Sequence, residues 1–243
     1  MTPHLDPSPQ QPPERPTRTR QPADTTRDDA PRVAGPVPIT VWRLDDHDDG
    51  QPPTEPGAGF ASRLARRLIL TYTSHGDTVV DFDHDPHLHG AATGAGRAYL
   101  AITDPDRLPG LDQIRNPVSL VTLVTLRWPR QADPSTVGRL AALLTGCRPI
   151  MSEDASVIAA VRPGHPPGPG PSFAEHEHAL RTAAEAAGLT HLLQIVAVSA
   201  PGEGDQFLYY ATETEAVSAA EQASGQALHI DLLVFTPGAS RDD

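Results

Sequence analysis

Gly76-Asp-Thr-Val-Val-Asp-Phe-Asp-His-Asp-Pro86 is the stretch on which the fold reading of this chain turns. The run Thr78 to Phe82 is β-branched and apolar and is led in by the turn pair Gly76-Asp77, so it predicts a buried strand. Pro86 suits the first turn of a helix running from about residue 87 to Gly94 and Gly96. In α/β folds, a strand passing through a short loop into a helix is the unit that carries nucleotide cofactors. The glycines such a loop normally supplies are absent, and Asp83, His84 and Asp85 stand there.

On either side of this unit, strand-like and helix-like segments alternate. Val37 to Leu44 is a first strand-like run, followed by an acidic loop containing proline and glycine, Asp45 to Gly59. Phe60 to Leu70 has helical spacing, with Phe60, Leu64 and Leu68 on one face and Arg63, Arg66 and Arg67 elsewhere. Ala98 to Thr103 predicts a second buried strand, which makes a β-α-β unit expected to be parallel and right-handed. Val118 to Leu126 is a third β-branched run and ends in Arg127-Trp-Pro-Arg130. Thr136 to Thr145 reads as a helix and Ser156 to Val161 as a fourth strand. Ser172 caps a strong helix, Phe173 to Ala187, stopped by Gly188, and Leu192 to Ser199 is a fifth strand. Phe207 to Ala211 and His229 to Phe235 supply antiparallel hairpin strands at the end. The expected fold is therefore an α/β three-layer, Rossmann-like sandwich with a mostly parallel sheet.

Residues 1–36 are rich in Pro, Thr, Gln and charge with almost no large apolar side chain, and are read as a disordered tail. The folded domain is expected over 37–237, with a flexible end at 238–243. The tail holds five Arg and five acids, so the whole formal charge of -12 falls on the remainder. A domain that acidic repels phosphate backbones unless its positive charge is concentrated. No segment is long and apolar enough to span a membrane, no secretory leader is readable, and the single Cys147 rules out an intrachain disulfide. These features give a cytoplasmic reading. All 19 basic residues are Arg, a bias of the kind GC-rich, actinobacterial coding imposes.

From about 37 to 236 the chain resembles the S-adenosylmethionine-dependent amino-methylases, particularly bacterial DNA methylases and related tRNA guanine-N2 methylases. The resemblance rests on Leu64-Ala-Arg-Arg-Leu-Ile-Leu-Thr-Tyr-Thr73, Ser74 to Pro86, Gly96-Arg-Ala-Tyr-Leu-Ala-Ile-Thr-Asp104 and His229-Ile-Asp-Leu-Leu-Val-Phe235. It implies a methyltransferase sandwich with S-adenosylmethionine as cofactor, held through Asp81, Asp83 and Asp104, and with nucleic acid as a substrate class. It also puts Arg127, Trp128 and Pro129 where the family carries its catalytic tetrapeptide, Asp/Asn/Ser-Pro-Pro-Tyr.

Three departures from that pattern have physical consequences. Asp83, His84 and Asp85 add side chains and negative charge where the carboxylate of the cofactor's methionine end would lie. Trp128 retains an aromatic face for stacking, whereas Arg127 is donor-only and accepts nothing from an amine. Thirteen residues, Pro105 to Pro117, separate the second strand from the next, too few for the elements that wall an adenine site. Asp104 is either a ribose ligand or an ordinary acid before a proline turn.

Other candidates favour plainer readings. Asp83, His84, Asp85, His87 and His89 match no metal-ligand spacing and read as a solvated acidic loop. Glu175, His176, Glu177 and His178 open a helix, where acids favour the dipole and the histidines are expected to be exposed. Gly90, Gly94 and Gly96 do not form a phosphate loop, and Cys147 reads as a structural thiol. Two functions follow: a divergent S-adenosylmethionine-dependent methyltransferase, or a catalytically inactive methyltransferase-fold binding protein. Nucleic-acid binding through Arg63, Arg66, Arg67, Arg127 and Arg130 is a weaker third, opposed by the acidic balance.

Overall fold

The computed structural model describes residues 37–44, 60–102, 121–129, 136–161, 171–199, 205–210 and 228–238. The expected tail, Asp104, Arg130 and the 105–117 connection lie outside them. Eight strands form one sheet: β1 (Ile39–Leu44), β2 (Thr78–Asp81), β3 (Ala98–Ala101), β4 (Val121–Trp128), β5 (Met151–Val161), β6 (Leu189–Ser199), β7 (Gln206–Tyr210) and β8 (Leu228–Pro237). Among the described residues four α-helices accompany them: α1 (Ser62–Tyr72), α2 (Pro86–Gly94), α3 (Thr136–Cys147) and α4 (Phe173–Ala186).

The sheet order is β3-β2-β4-β5-β8-β6-β1-β7. The pairs β2/β3, β2/β4, β4/β5 and β1/β6 are parallel. The two C-terminal strands supply the antiparallel pairings. They do so on separate neighbours: β8 is inserted between β5 and β6, and β7 pairs with β1 at the sheet edge.

Strand alternation explains the three layers. Successive side chains leave a strand on opposite faces, and here both faces are apolar. Val79, Leu123, Ile158, Ala160, Leu232 and Val234 pack beneath α1 and α2, against Leu64, Leu68, Leu88 and Ala92. Their immediate neighbours Val80, Val124, Val157, Ala159, Leu233 and Phe235 pack on the other side, against Leu140, Leu144, Leu180 and Ala184 of α3 and α4. A sheet covered on both faces reads as continuous apolar runs, the pattern seen in Val157 to Val161 of β5 and, apart from the buried Asp81, in Thr78 to Phe82. On α1 the buried set is Leu64, Ala65, Leu68 and Ile69, and Phe60 just before the helix joins them.

Local chemistry fixes the helix ends. Ser172 and Glu175 form a capping box on α4: the Ser172 Oγ accepts from the Glu175 N–H at 3.3 Å, and Glu175 Oε2 accepts from the Ser172 N–H at 2.7 Å. Those bonds hold the Glu175 carboxyl below the usual range. Gly188, at φ +72, ends the helix in the left-handed region that a side chain disfavours. Cys147 is buried at the end of α3, and burial pushes its thiol up to about 12, consistent with a structural residue. No helix of the described residues is long and apolar enough to cross a membrane.

His191, near the start of β6, packs its ring on Phe235 with centroids 5.0 Å apart. Burial lowers its pKa, with the Glu177 carboxylate opposing that shift in part. Such a group is protonated in the unfolded chain before it is protonated in the folded one. Its contribution to stability is complete above the ordinary histidine value of about 6.5 and is lost as pH falls through that value toward the folded one. Urea midpoints are expected to drop between pH 7.5 and pH 5.5, and to drop less in His191→Phe; an equal drop in both proteins would refute this role for the ring.

Candidate functional site

Asp81 is the last residue of β2 and is fully buried. Its register partner on β4 is Thr125, whose hydroxyl donates to Asp81 Oδ1 at 3.2 Å. The loop beyond turns back onto the same carboxylate: the Asp83 N–H donates to Oδ1 at 3.0 Å and the Asp85 N–H to Oδ2 at 2.6 Å. The Tyr99 hydroxyl, from β3, also donates to Oδ2 at 2.6 Å. Both oxygens of Asp81 are thus held by donors from two strands and one loop. Desolvation first, then the bond to Asp81, keeps the Tyr99 phenol protonated far above its usual range.

Asp85 follows the same logic one step further along the chain. It is the N-cap of α2, with Pro86 at the first helical position. Asp85 Oδ1 accepts from the His87 N–H at 2.9 Å and the Leu88 N–H at 3.1 Å. Its other oxygen accepts from the Phe60 N–H at 2.9 Å, which ties the entry of α1 to the start of α2. The first-turn amides of α2, which in a nucleotide-binding unit face an anion, therefore face a carboxylate of the chain itself.

Asp83 turns toward β4. Its Oδ2 accepts from the Arg127 N–H and lies 3.8 Å from Arg127 Nε, and the side chains are 11% and 28% exposed respectively. His84, between the two aspartates, has a positive φ of 53° and an exposed side chain. The chain makes the left-handed bend for which a glycine is the easy choice, and makes it with a histidine.

Trp128 ends β4 inside the core at 4% exposure, and its Nε1–H donates to His176 Nδ1 at 3.1 Å. A ring enclosed in this way presents no free face to a base, so the expectation that Trp128 stacks a substrate is not met in this conformation. Pro129 is exposed. Of the residues expected to share a site, Asp81, Asp83 and Arg127 are brought together, whereas Trp128 is turned into the core.

Two plain readings are corrected. The acidic loop is not solvated as a whole, since Asp85 is buried and Asp83 largely so. His176 is not exposed with His178; it lies on the buried stripe with Leu180, Ala183 and Ala184. Sequence reading missed Asp85, Tyr99, Thr125 and His176 as organising residues. Two signals were available: an acid directly before a helix-opening proline is an N-cap, and His176 precedes Leu180 by four. The proposed arginine face is engaged in part, with Arg63 Nε 2.7 Å from Asp205 Oδ1 and the Arg67 guanidinium 4.0 Å above the Phe207 ring. No group of three or more metal-ligating side chains forms among the described residues.

No protein-family model and no curated protein matches the sequence. Solved structures with a related shape include a putative methyltransferase from Thermoplasma acidophilum, at 11% identity and a TM-score of 0.38 over 84% of this chain and 69% of that one. TrmN from Thermus thermophilus matches at 12% identity and a TM-score of 0.41, over 74% of this chain and 50% of its own. The LepI complex with SAM matches at 14% identity and a TM-score of 0.35, and the chain spans 43% of LepI's length. Likeness at this level assigns no activity.

Removing the Asp85 carboxylate leaves three backbone donors to find new partners. Asp85→Ala is expected to cost about 1.5–5 kcal/mol by chemical denaturation, the sum of a lost N-cap and a buried unpaired amide. Asp85→Asn, which retains one acceptor oxygen, should cost less; equal stability of Asp85→Ala and the parent would show that the cap is not holding the loop.

Proposed function

We propose that this chain is a methyltransferase-fold binding protein without turnover, related to S-adenosylmethionine-dependent amino-methylases and no longer a user of their cofactor. The observation that carries this reading is the Asp85 carboxylate on the His87 and Leu88 amides. An incoming carboxylate, such as that of a methionine moiety, meets like charge on donors already taken. Each such charge-assisted bond, one buried and one partly so, is worth about 1.5–3 kcal/mol, so displacement is costly. Asp83 and Asp81 support the same reading, because their oxygens receive protein donors and face inward. At the end of β4, Arg127 offers donors where an amine needs an acceptor.

The competing reading is an active S-adenosylmethionine-dependent methyltransferase acting on nucleic acid through Arg127, Trp128 and Pro129, with Asp81, Asp83 and Asp104 on the cofactor. The strand, loop and helix arrangement at β2 and α2 favours it, since that arrangement places an acid at a strand end beside a helix N-terminus.

Isothermal titration with S-adenosylmethionine at millimolar concentration separates the two. The scaffold reading predicts no saturable heat and no rise in melting temperature. One-to-one binding that disappears in Asp81→Asn, with methyl transfer lost in Trp128→Ala, would establish the enzyme instead.

A further inference from the structure

The contact between Trp128 and His176 serves neither reading directly. It links two distant parts of the fold, the carboxyl end of β4 and the second turn of α4, through a single hydrogen bond of 3.1 Å between two buried rings. An indole nitrogen only donates, so His176 Nδ1 must be the acceptor and the imidazole must be neutral with its proton on Nε2. An imidazolium has donors on both nitrogens and offers the indole nothing. The strand end carrying Trp128 is itself tied to the β2 loop through Asp83 and the Arg127 backbone. What happens at His176 therefore bears on the end of β4 and the β2 loop that it anchors.

We propose that the His176–Trp128 pair is a pH-sensitive latch: the neutral ring fastens α4 to β4, and a proton taken from solvent onto Nδ1 breaks the bond and frees the indole from its acceptor. The step consumes one proton and breaks one hydrogen bond, and it requires no bound ligand.

The surroundings set its direction. On α4 itself Glu175, one residue away, favours the proton, while burial disfavours it and is the larger effect. At that end of β4 the charged neighbour in sequence is Arg127, already engaged by Asp83. Ala159, Ala160 and Val161 at the carboxyl end of β5 are apolar, Arg139 of α3 is exposed, and His191 of β6 stacks on Phe235. The latch is therefore closed at neutral pH and opens on the acid side of the ordinary histidine range.

The full chain labelled with 15N provides the test, with the two indole N–H resonances followed from pH 8 to pH 5 and Trp128 assigned by its absence in Trp128→Phe. The Trp128 resonance is expected to shift with a midpoint below about 6.5, and its protection from exchange, measured against a free indole at the same pH, to fall at least about tenfold as the bond is lost. The Trp42 resonance should stay in place. In His176→Gln, whose side-chain oxygen accepts without titrating, the Trp128 shift should vanish. An unmoved Trp128 indole, the same transition in His176→Gln, or a matching movement of Trp42 would each overturn the latch. Should His176→Gln not fold, the ring C–H of His176 in the parent protein decides: its midpoint must coincide with that of the Trp128 indole, and unequal midpoints overturn the proposal.

Discussion

A buried carboxylate with four donors is the constraint around which the site is organised. Asp81 sits at the carboxyl end of a central strand, fully enclosed, where an uncompensated charge would be very costly. Compensation comes from three directions: the hydroxyl of Thr125 on one flanking strand, the phenol of Tyr99 on the other, and two amides of its own loop. The donors come from both flanking strands and from the loop, so the charge specifies the spacing of β2, β3 and β4 and the path of residues 82–85 together. Breaking any one bond leaves the others strained around an anion that cannot escape to water.

The same economy explains why the loop is rich in acids and yet faces inward. Asp83 secures the neighbouring strand end through the Arg127 amide, and Asp85 secures two helices through Phe60, His87 and Leu88. Three carboxylates in five residues would repel one another in a solvated loop. Here each is neutralised by a separate set of oriented N–H and O–H groups, and the helix N-terminus contributes its dipole to Asp85.

Much of the fold was legible because both faces of the sheet are apolar, so the β-branched runs at Thr78 to Phe82 and Val118 to Leu126 admitted few alternatives. The helices at Phe60, His87, Thr136 and Phe173 were legible for a similar reason, through spacing, Pro86, Ser172 and Gly188. The neighbours chosen by β7 and β8 were not, because strand pairing at long range leaves no local mark on composition. At the site, Asp81, Asp83 and Arg127 were singled out through the family resemblance, and the structure places them beside one another at the adjacent ends of β2 and β4. The direction in which Trp128 and His176 point was not legible, since an aromatic residue at a strand end and a histidine near a helix start are each compatible with either face until the opposing layer is known.

The placement of β8 has a consequence for how the molecule comes into being. This strand follows every other described strand in the sequence, yet it lies between β5 and β6 and is the bridge from the β3-β2-β4-β5 half of the sheet to the β6-β1-β7 half. Among the described strands no hydrogen-bonded ladder joins the two halves except through β8, so the sheet is continuous only once residues 228–237 are in place. Without β8, β5 and β6 would each present one strand edge without a partner on that side, beside Ile158, Ala160 and Ile195, which makes the last strand the piece that removes two exposed edges at once.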